Sequence, residues 1–177
     1  MNREDEMTEY PRRSGPRPST TSTNPHTQLD QQPVDHQPRL RLIELLGDLP
    51  VVWAGSMISV PGAQALTLPP GTGQGPPEAF MIDREFAHLH PAPDFSLHLV
   101  LPQAVAEAAI EAGWAEQHPI ARLGFISPGA VMVYSPRDAG EAAIAAGLIR
   151  QSYAYATGVH PTSTQVGEST EVGDTGR

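Results

Sequence analysis

The uneven distribution of proline and apolar residues limits where this chain can fold. Residues 1–38 are polar and interrupted by prolines, and residues 158–177 consist mostly of Ser, Thr, Gly and acidic residues. Segments of this composition bury too little apolar surface to offset an ordering cost of about 1–2 kcal/mol per residue. We therefore predict a disordered tail at 1–38, one folded domain at 39–157 and a second disordered tail at 158–177.

Charge and residue usage exclude several classes of function. The 177 residues include 20 acidic and 11 basic side chains, all of the latter arginine, and the formal net charge is −9. Because a negative field repels phosphates and anionic lipids, we predict no nucleic-acid partner and no membrane partner. The chain has no cysteine and no lysine, which excludes thiol nucleophiles, disulfides, thiolate metal ligands and Schiff-base amines.

Localisation is predicted from what the sequence lacks. No stretch approaches the roughly 20 apolar residues that cross a bilayer. The first ten residues are polar and acidic, unlike a secretory signal. A cytoplasmic protein is the expectation.

Apolar periodicity predicts both helices and strands within residues 39–157. Helices are expected where apolar residues recur every three to four positions, at 39–46, 102–112 and from Asp138 onward with Glu141 in a capping box. Strands are expected at 65–68, 80–90, 95–101 and 130–134. Short loops between neighbouring strands favour an antiparallel pairing. The sequence therefore predicts an α+β domain, with a small, mostly antiparallel sheet and helices packed on one face.

Two of the predicted strands carry histidines in a pattern that places them together. His88 and His90 share a strand face because residues two apart point the same way. A hairpin that turns at residues 91–94 pairs His90 with Ser96 and brings His98 opposite His88. The alternate positions of the second strand are leucines, so we expect the other face to be the core.

This histidine face supports more than one chemistry. Three neutral imidazoles can form an open metal site, and imidazoles that titrate near neutrality can also take and return protons. They can equally be hydrogen-bonded without a special role. If a metal is present, His88, His90 and His98 are its predicted ligands. Arg84 has the parity of this face and Glu85 does not, so Arg84 is expected beside the histidines and Glu85 away from them.

Other candidates have equally plausible structural roles. Trp114 and Phe86 fit either an aromatic pocket or the core. Arg137 fits either the binding of an anion or an ion pair. No nucleophile elbow surrounds Ser96, so a serine hydrolase is not predicted.

Four linked segments resemble the fungal luciferases and their bacterial luciferase-domain relatives. They are REFAHLH at 84–90, DFSLHL at 94–99, GWAEQHPI at 113–120 and SPRD at 135–138. Several motifs in one order are far more specific than a single His-x-His pair. The resemblance covers residues 84 to about 156, and residues 39–81 match only loosely.

The resemblance implies an oxygenase of the luciferase type. Light-emitting members of the family oxidise 3-hydroxyhispidin, a small hydroxypyranone, with molecular oxygen and no known metal or organic cofactor, and carbon dioxide leaves a peroxidic intermediate. By implication the partners are a small-molecule substrate and O2, with no cofactor. The catalytic residues would be His88, His90, His98 and Arg84, with one histidine as the base. The substrate-binding residues would be His118, Trp114, Arg137 and Ser96, and Arg84 or Arg137 would hold the substrate anion.

Three classes of function remain open from the sequence. The first is a cofactor-independent oxygenase acting on an enolisable aromatic or pyranone. The second is a non-catalytic module that binds a small molecule in the same cleft, and the third is a metal-dependent enzyme that uses the histidine face. Metal content separates the third class from the others, and oxygen uptake separates the first from the second.

Overall fold

The described part of the chain folds as an open sheet of six strands with four α-helices. The computed structural model describes residues 9–73 and 75–159. The strands are β1 (Val52–Gly55), β2 (Gln64–Thr67), β3 (Glu85–Leu89), β4 (Leu97–Val100), β5 (Ala115–Gln117) and β6 (Ala130–Val133). The helices are α1 (Gln37–Leu45), α2 (Gln103–Glu111), α3 (Pro119–Arg122) and α4 (Ala139–Thr157), and a 3-10 turn lies at Pro77–Ala79. No helix in these two described ranges is both long and apolar enough to cross a membrane.

All neighbouring strands are antiparallel, in the order β1-β2-β3-β4-β6-β5. The three longer helices α1, α2 and α4 pack on one face, where Leu42, Ala109 and Leu148 join Leu97 and Leu99 of β4 in the main core. Each fully buried leucine contributes about 1.5–3 kcal/mol to folding. The α+β prediction, with a mostly antiparallel sheet and helices on one face, is confirmed.

Local capping explains where the helices begin and end. Gly113 follows α2 with a φ of 88°, a left-handed conformation that favours glycine over other residues. At the start of α4 the Asp138 carboxylate accepts a hydrogen bond from the Glu141 N–H at 2.9 Å. The Glu141 carboxylate accepts from the backbone N–H of Arg137 rather than of Asp138, so the predicted capping box is formed on one side only.

Strand β3 is shorter than the sequence predicts. The expected strand spans residues 80–90, whereas β3 begins at Glu85. Asp83 has a φ of 48°, and the Met81 N–H donates to the Glu85 carbonyl at 2.7 Å. This tight turn folds the preceding residues back, so Phe80, Met81 and Ile82 become side chains of a loop.

The N-terminal segment, residues 9–36, differs from the predicted disordered tail because it lies against the domain. Its Arg13 N–H donates to the Ala112 carbonyl at 2.8 Å, and its Gln28 side-chain oxygen accepts from the buried Ser135 N–H at 2.8 Å. These contacts are polar and reach far along the chain, so apolar periodicity does not detect them. The remaining tail predictions concern residues 1–8 and 160–177, which lie outside the described residues.

Candidate functional site

A cavity of about 620 Å³ opens on the sheet face that carries the strand histidines. Its floor is formed by histidines of β3 and β4, and its walls are mostly apolar side chains from the N-terminal segment and three loops. The lining residues are Asn24, Pro25, His26, Ile58, Ser59, Val60, Pro61, Phe80, Met81, Ile82, His88, His90, His98, Val100, His118, Ile120, Ile126, Ser127, Ala130 and Val131. The cavity brings together four of the predicted site histidines and adds His26.

The hairpin register agrees with the sequence prediction. His88 lies opposite His98 in the β3–β4 ladder, and the His90 N–H donates to the Ser96 carbonyl at 2.9 Å. His88, His90 and His98 therefore share a face, and the rings of His88 and His90 stack with centroids 5.4 Å apart. The leucines of β4 point to the helix-covered side.

A β-bulge at the start of β3 changes which side chains face the cavity. Leu66 pairs with Ala87, but the next residue of β2, Thr67, pairs with Glu85. Phe86 is thus an extra residue in β3, and it is fully buried in the helix-side core. The bulge reverses the alternation of side chains on its N-terminal side.

Glu85 consequently joins the histidines, and the prediction that it lies away from them is wrong. Its Oε1 is 2.7 Å from His88 Nδ1, and the Ser56 hydroxyl donates to the same carboxylate at 3.0 Å. Burial holds the pKa of His88 below its usual value, and the hydrogen bond that His88 donates to Glu85 only partly opposes that shift. A neutral His88 ring that donates through Nδ1 keeps its lone pair on Nε2.

Arg84 lies outside the cavity, and the prediction that it shares the histidine face is wrong. Its guanidinium donates to the carbonyls of Leu68 at 2.9 Å and Pro69 at 2.7 Å. The bulge is the physical reason, because it reverses the alternation that the parity argument assumed. Arg84 therefore holds the loop after β2.

His90 has a carboxylate partner of its own. Its Nδ1 contacts Asp94 Oδ2 and lies 3.3 Å from the Ser96 hydroxyl. Burial opposes ionisation of Asp94, but hydrogen bonds from His90 and Ser96 bring the pKa of that carboxyl below its usual value. The other ring nitrogen, His90 Nε2, is buried without a hydrogen-bond partner among the described residues.

His98 lies at the centre of the group. Its Nδ1 is 3.0 Å from His88 Nε2, and its Nε2 is 3.2 Å from His26 Nδ1. Burial, followed by the neighbouring imidazoles, holds the pKa of His98 well below its usual value. The ring is therefore neutral at physiological pH.

His26 comes from the N-terminal segment and was not predicted from the sequence. Its Nε2 is 2.7 Å from Glu116 Oε1, and the same carboxylate accepts from the hydroxyls of Thr20 at 2.7 Å and Tyr134 at 3.0 Å. Burial raises the pKa of Glu116, but these hydrogen bonds together bring it below its usual value. No local pattern around His26 marks it, since its partners lie about 70 to 90 residues away.

His118 completes the cluster from the start of α3. Its Nδ1 accepts a hydrogen bond from the Ile120 N–H at 3.2 Å. Burial, followed by the repulsion of neighbouring imidazoles, lowers the pKa of His118 to about 4. The neutral ring therefore carries its proton on Nε2. We call His26, His88, His90, His98 and His118 the histidine cluster.

Trp114 and Arg137, two predicted substrate contacts, lie elsewhere in the fold. The Trp114 indole N–H donates to the Pro11 carbonyl at 2.6 Å, and its ring belongs to the helix-side core. Arg137 pairs with Glu141, through Nε at 2.9 Å, and donates to the Ser14 carbonyl at 2.9 Å. Both residues fasten the N-terminal segment or α4 rather than line the cavity.

The cluster can support metal binding or proton transfer. Two sets of three imidazoles have candidate ligand nitrogens within 4.8 Å of one another, namely His88, His90 and His98, and His26, His98 and His118. Neutral imidazoles suit Zn²⁺ and neighbouring transition metals. The same rings, joined by hydrogen bonds and ending at carboxylates, can also carry protons.

Known proteins similar to this chain are luciferases. A family model of the luciferase domain matches residues 83–152. The Armillaria gallica luciferase is 31% identical over 169 residues, covering 85% of this chain and 62% of that protein. The Armillaria ostoyae luciferase is 36% identical over 76 residues, covering 42% of this chain and 29% of that protein. A Neonothopanus nambi luciferase is 33% identical over 76 residues, covering 42% of this chain and 28% of that protein.

This chain spans less than two thirds of the length of these curated relatives. No solved structure matches it significantly. The matched domain contains β3, β4 and four of the five histidines of the cluster. Residues 83–152 of this chain therefore match the luciferase domain and are similar to the fungal luciferases.

Proposed function

We propose that this protein is a luciferase-like oxygenase that acts on a small enolisable aromatic or pyranone, such as 3-hydroxyhispidin, in the histidine-lined cavity. One observation carries the proposal: four histidines of the matched luciferase domain line a single, largely apolar cavity. Its volume of about 620 Å³ is typical of small-molecule sites. Since the chain spans only part of its relatives, its activity and substrate are proposals.

Enolate formation requires a proton acceptor near the substrate. His88 and His90 are the candidates, because carboxylates hold their Nδ1 protons and leave lone pairs on Nε2. Glu85 and Asp94 would stabilise the imidazolium that forms, as the carboxylate does in a catalytic triad. His90 is the better placed of the two, because its Nε2 has no partner among the described residues, whereas His88 Nε2 lies 3.0 Å from His98 Nδ1. His98 is less suited than either, since both of its nitrogens contact other histidine rings and neither contacts a carboxylate.

The enolate also needs a donor that stabilises its negative charge. Arg84 and Arg137, which the sequence suggested for this role, are engaged outside the cavity. His118 takes the role in our proposal, because its ring proton lies on Nε2 and the residue lines the cavity. A low pKa keeps His118 a neutral donor across the physiological range.

The cavity walls fit the remaining requirement of the chemistry, the exclusion of water from a reactive intermediate. The apolar side chains of Val60 in the β1–β2 loop, Phe80 and Met81 in the loop before β3, and Ile120 in α3 line the cavity around the histidine floor. A flat aromatic or pyranone ring would contact these walls and place its hydroxyl at the histidines. The proposed substrate class rests on this division between apolar walls and polar floor.

Oxygen uptake by the purified full chain tests the proposal. We expect consumption of O2 together with 3-hydroxyhispidin or with a member of a panel of enolisable phenols and pyranones. The His88→Gln substitution should lower kcat by about 100-fold or more, the usual range for loss of a general base. The matched control is His36→Gln, an exposed histidine outside this cavity, which should leave kcat unchanged.

Two other outcomes would reject the proposal. Binding of these compounds without oxygen uptake would favour the non-catalytic binding module. If no compound in the panel binds and none supports oxygen uptake, the proposed substrate class is wrong.

A further inference from the structure

Hydrogen bonds around the histidine cluster determine where the ring protons lie. A neutral imidazole carries one N–H, and an ionised carboxylate only accepts. His88 faces Glu85 through Nδ1, and His90 faces Asp94 through Nδ1. Both rings therefore carry their proton on Nδ1 and present a lone pair at Nε2.

A count of protons shows that neutral rings alone do not satisfy the cluster. Four contacts link Glu85, His88, His98, His26 and Glu116 in one chain, at 2.7, 3.0, 3.2 and 2.7 Å. Each contact needs one proton, whereas three neutral imidazoles supply only three. When the other three contacts each have a proton, the contact between His88 Nε2 and His98 Nδ1 has none.

A cation between the rings of His88 and His98 removes this conflict. We infer that one divalent transition-metal ion binds to His88 Nε2, His90 Nε2 and His98 Nδ1 on the floor of the cavity. With the ion in place, the Nε2 proton of His98 is donated to His26 Nδ1, and the Nε2 proton of His26 is donated to Glu116. The rings of His88, His90, His98 and His26 are then neutral, and each of their nitrogens has a partner.

Two further observations support this ligand set. One nitrogen of each of the three rings already lies within 4.8 Å of the other two, and His88 Nε2 is 3.0 Å from His98 Nδ1. His90 Nε2 is buried without a partner among the described residues. An unpartnered nitrogen on a fully buried ring is costly unless something binds it. A metal ion supplies that missing partner.

The surroundings of the ligands match those of metal-binding histidines, whose second nitrogen donates to a carboxylate or carbonyl. Glu85 accepts from His88, and Asp94 accepts from His90. His98 reaches a carboxylate through the ring of His26. Glu85 is itself bonded by the Ser56 hydroxyl, so the outer partners are fixed as well.

The same reasoning about protons excludes the alternative set of His26, His98 and His118. His118 accepts a backbone hydrogen bond through Nδ1, which places its proton on Nε2. Neither nitrogen of His118 then offers a free lone pair to a metal. The two overlapping sets therefore differ in a property that can be tested.

The ligand type restricts the ion to Zn²⁺, Fe²⁺, Co²⁺, Ni²⁺ or Cu²⁺, since Mg²⁺ and Ca²⁺ prefer oxygen. Three protein ligands leave a coordination position open toward the cavity. This inference deepens the proposed function and rests on it only for the substrate: the ion would bind the enolate oxygen and supply positive charge. His88, His90 and His98 would then be ligands, not proton acceptors.

Cobalt binding to the full chain tests the site without any substrate. The protein is freed of metal with a chelator and titrated with Co²⁺, whose visible absorption reports its coordination. We expect the wild type to bind one equivalent of Co²⁺ tightly. The Co²⁺ affinity should fall by about 100-fold or more in His90→Gln, and by about 10–100-fold in Glu85→Gln, which removes the carboxylate that accepts from His88. His118→Gln and the exposed control His36→Gln should bind Co²⁺ as tightly as the wild type.

Several results would overturn the inference. They are no binding by the wild type, unchanged affinity of His90→Gln, or a loss in His118→Gln as large as that in His90→Gln. Circular dichroism checks that each variant is folded. If His90→Gln unfolds, the Glu85→Gln affinity and a rise in the wild-type Tm with Zn²⁺ decide instead, and the absence of both changes counts against the site.

Failure of this inference and failure of the proposed function have different signatures. Tight Co²⁺ binding without oxygen uptake, with each candidate ion added, would contradict only the proposed function. Oxygen uptake by metal-free protein, with no Co²⁺ binding, would contradict only the metal site and return His88 and His90 to the role of bases.

Discussion

The β3–β4 hairpin and the N-terminal segment supply the same cluster in different ways. The hairpin brings His88, His90 and His98 together through strand alternation and a short turn. The N-terminal segment adds His26 through contacts with Glu116 and His98, far along the chain. The hairpin, which has a clear apolar pattern, and the N-terminal segment, which has none, thus both contribute buried histidines to the cluster.

The two regions are also held by different forces. The hairpin is anchored by apolar side chains on its helix-covered face, among them the fully buried Phe86, Leu97 and Leu99. The N-terminal segment is held mainly by hydrogen bonds, for example those of Arg13 and Gln28 with the domain. Burial of a large apolar side chain contributes more than a typical net hydrogen bond of about 0.5–1.5 kcal/mol. Substitutions in the hairpin should therefore have the larger effects.

The largest effect is expected for Phe86→Ala in the hairpin. The Phe86 ring is fully buried and meets the Tyr153 ring edge-on, with centroids 5.9 Å apart. Its removal should lower the free energy of unfolding by about 3–5 kcal/mol, measured by urea denaturation. Phe125→Ala is the matched control, because Phe125 is 79% exposed and its loss should change stability by less than about 0.5 kcal/mol. A loss below about 1 kcal/mol for Phe86→Ala would contradict apolar anchoring of the hairpin.

A smaller effect is expected for Gln28→Leu in the N-terminal segment. The substitution leaves the buried Ser135 N–H without its acceptor, at a cost of about 1–3 kcal/mol. Urea denaturation should show this loss, and hydrogen exchange of the Ser135 amide should accelerate. Gln103→Leu, on an exposed surface of α2, is the control, and it should change the free energy of unfolding by about 0.5 kcal/mol or less. If both variants behaved alike, hydrogen bonds would not be what holds the segment.

The sequence predicted the hairpin because its signals are local. Alternating leucines and histidines determine which face is buried, and the short turn determines the register. The pairing of His88 with His98 follows from these two features alone. The same reasoning identified three of the five histidines of the cluster by their shared face.

The sequence could not predict the residues whose placement depends on an irregularity or on a distant partner. Glu85 and Arg84 exchanged roles because a single extra residue, Phe86, reversed the alternation. The bulge arises where β3 pairs with β2, and the sequence of β3 by itself carries no information about that pairing. His26 required knowledge of where residues 9–36 dock, and polar contacts to backbone groups leave no periodic pattern.

The smallest changes in stability are expected when a tyrosine hydroxyl is removed, and two tyrosines are compared as a test of the polar contacts. Tyr134 donates its hydroxyl to Glu116 at 3.0 Å, so Tyr134→Phe should cost about 1 kcal/mol. Tyr10, in the N-terminal segment, has a buried hydroxyl without a partner among the described residues, so Tyr10→Phe should leave stability unchanged or raise it by up to about 1 kcal/mol. Urea denaturation at neutral pH compares the two variants.

The Tyr10 substitution also has a predicted pH dependence. Burial raises the pKa of Tyr10 to about 12 in the folded state, against about 10 in an unfolded chain. The folded state therefore favours the neutral phenol, and this contribution to stability is complete below pH 10 and lost as the pH rises toward 12. Wild-type protein should lose more stability than Tyr10→Phe between those values, because the variant has no phenol to ionise there. Parallel losses in the two proteins would mean that the Tyr10 ring is as accessible in the folded state as in the unfolded chain.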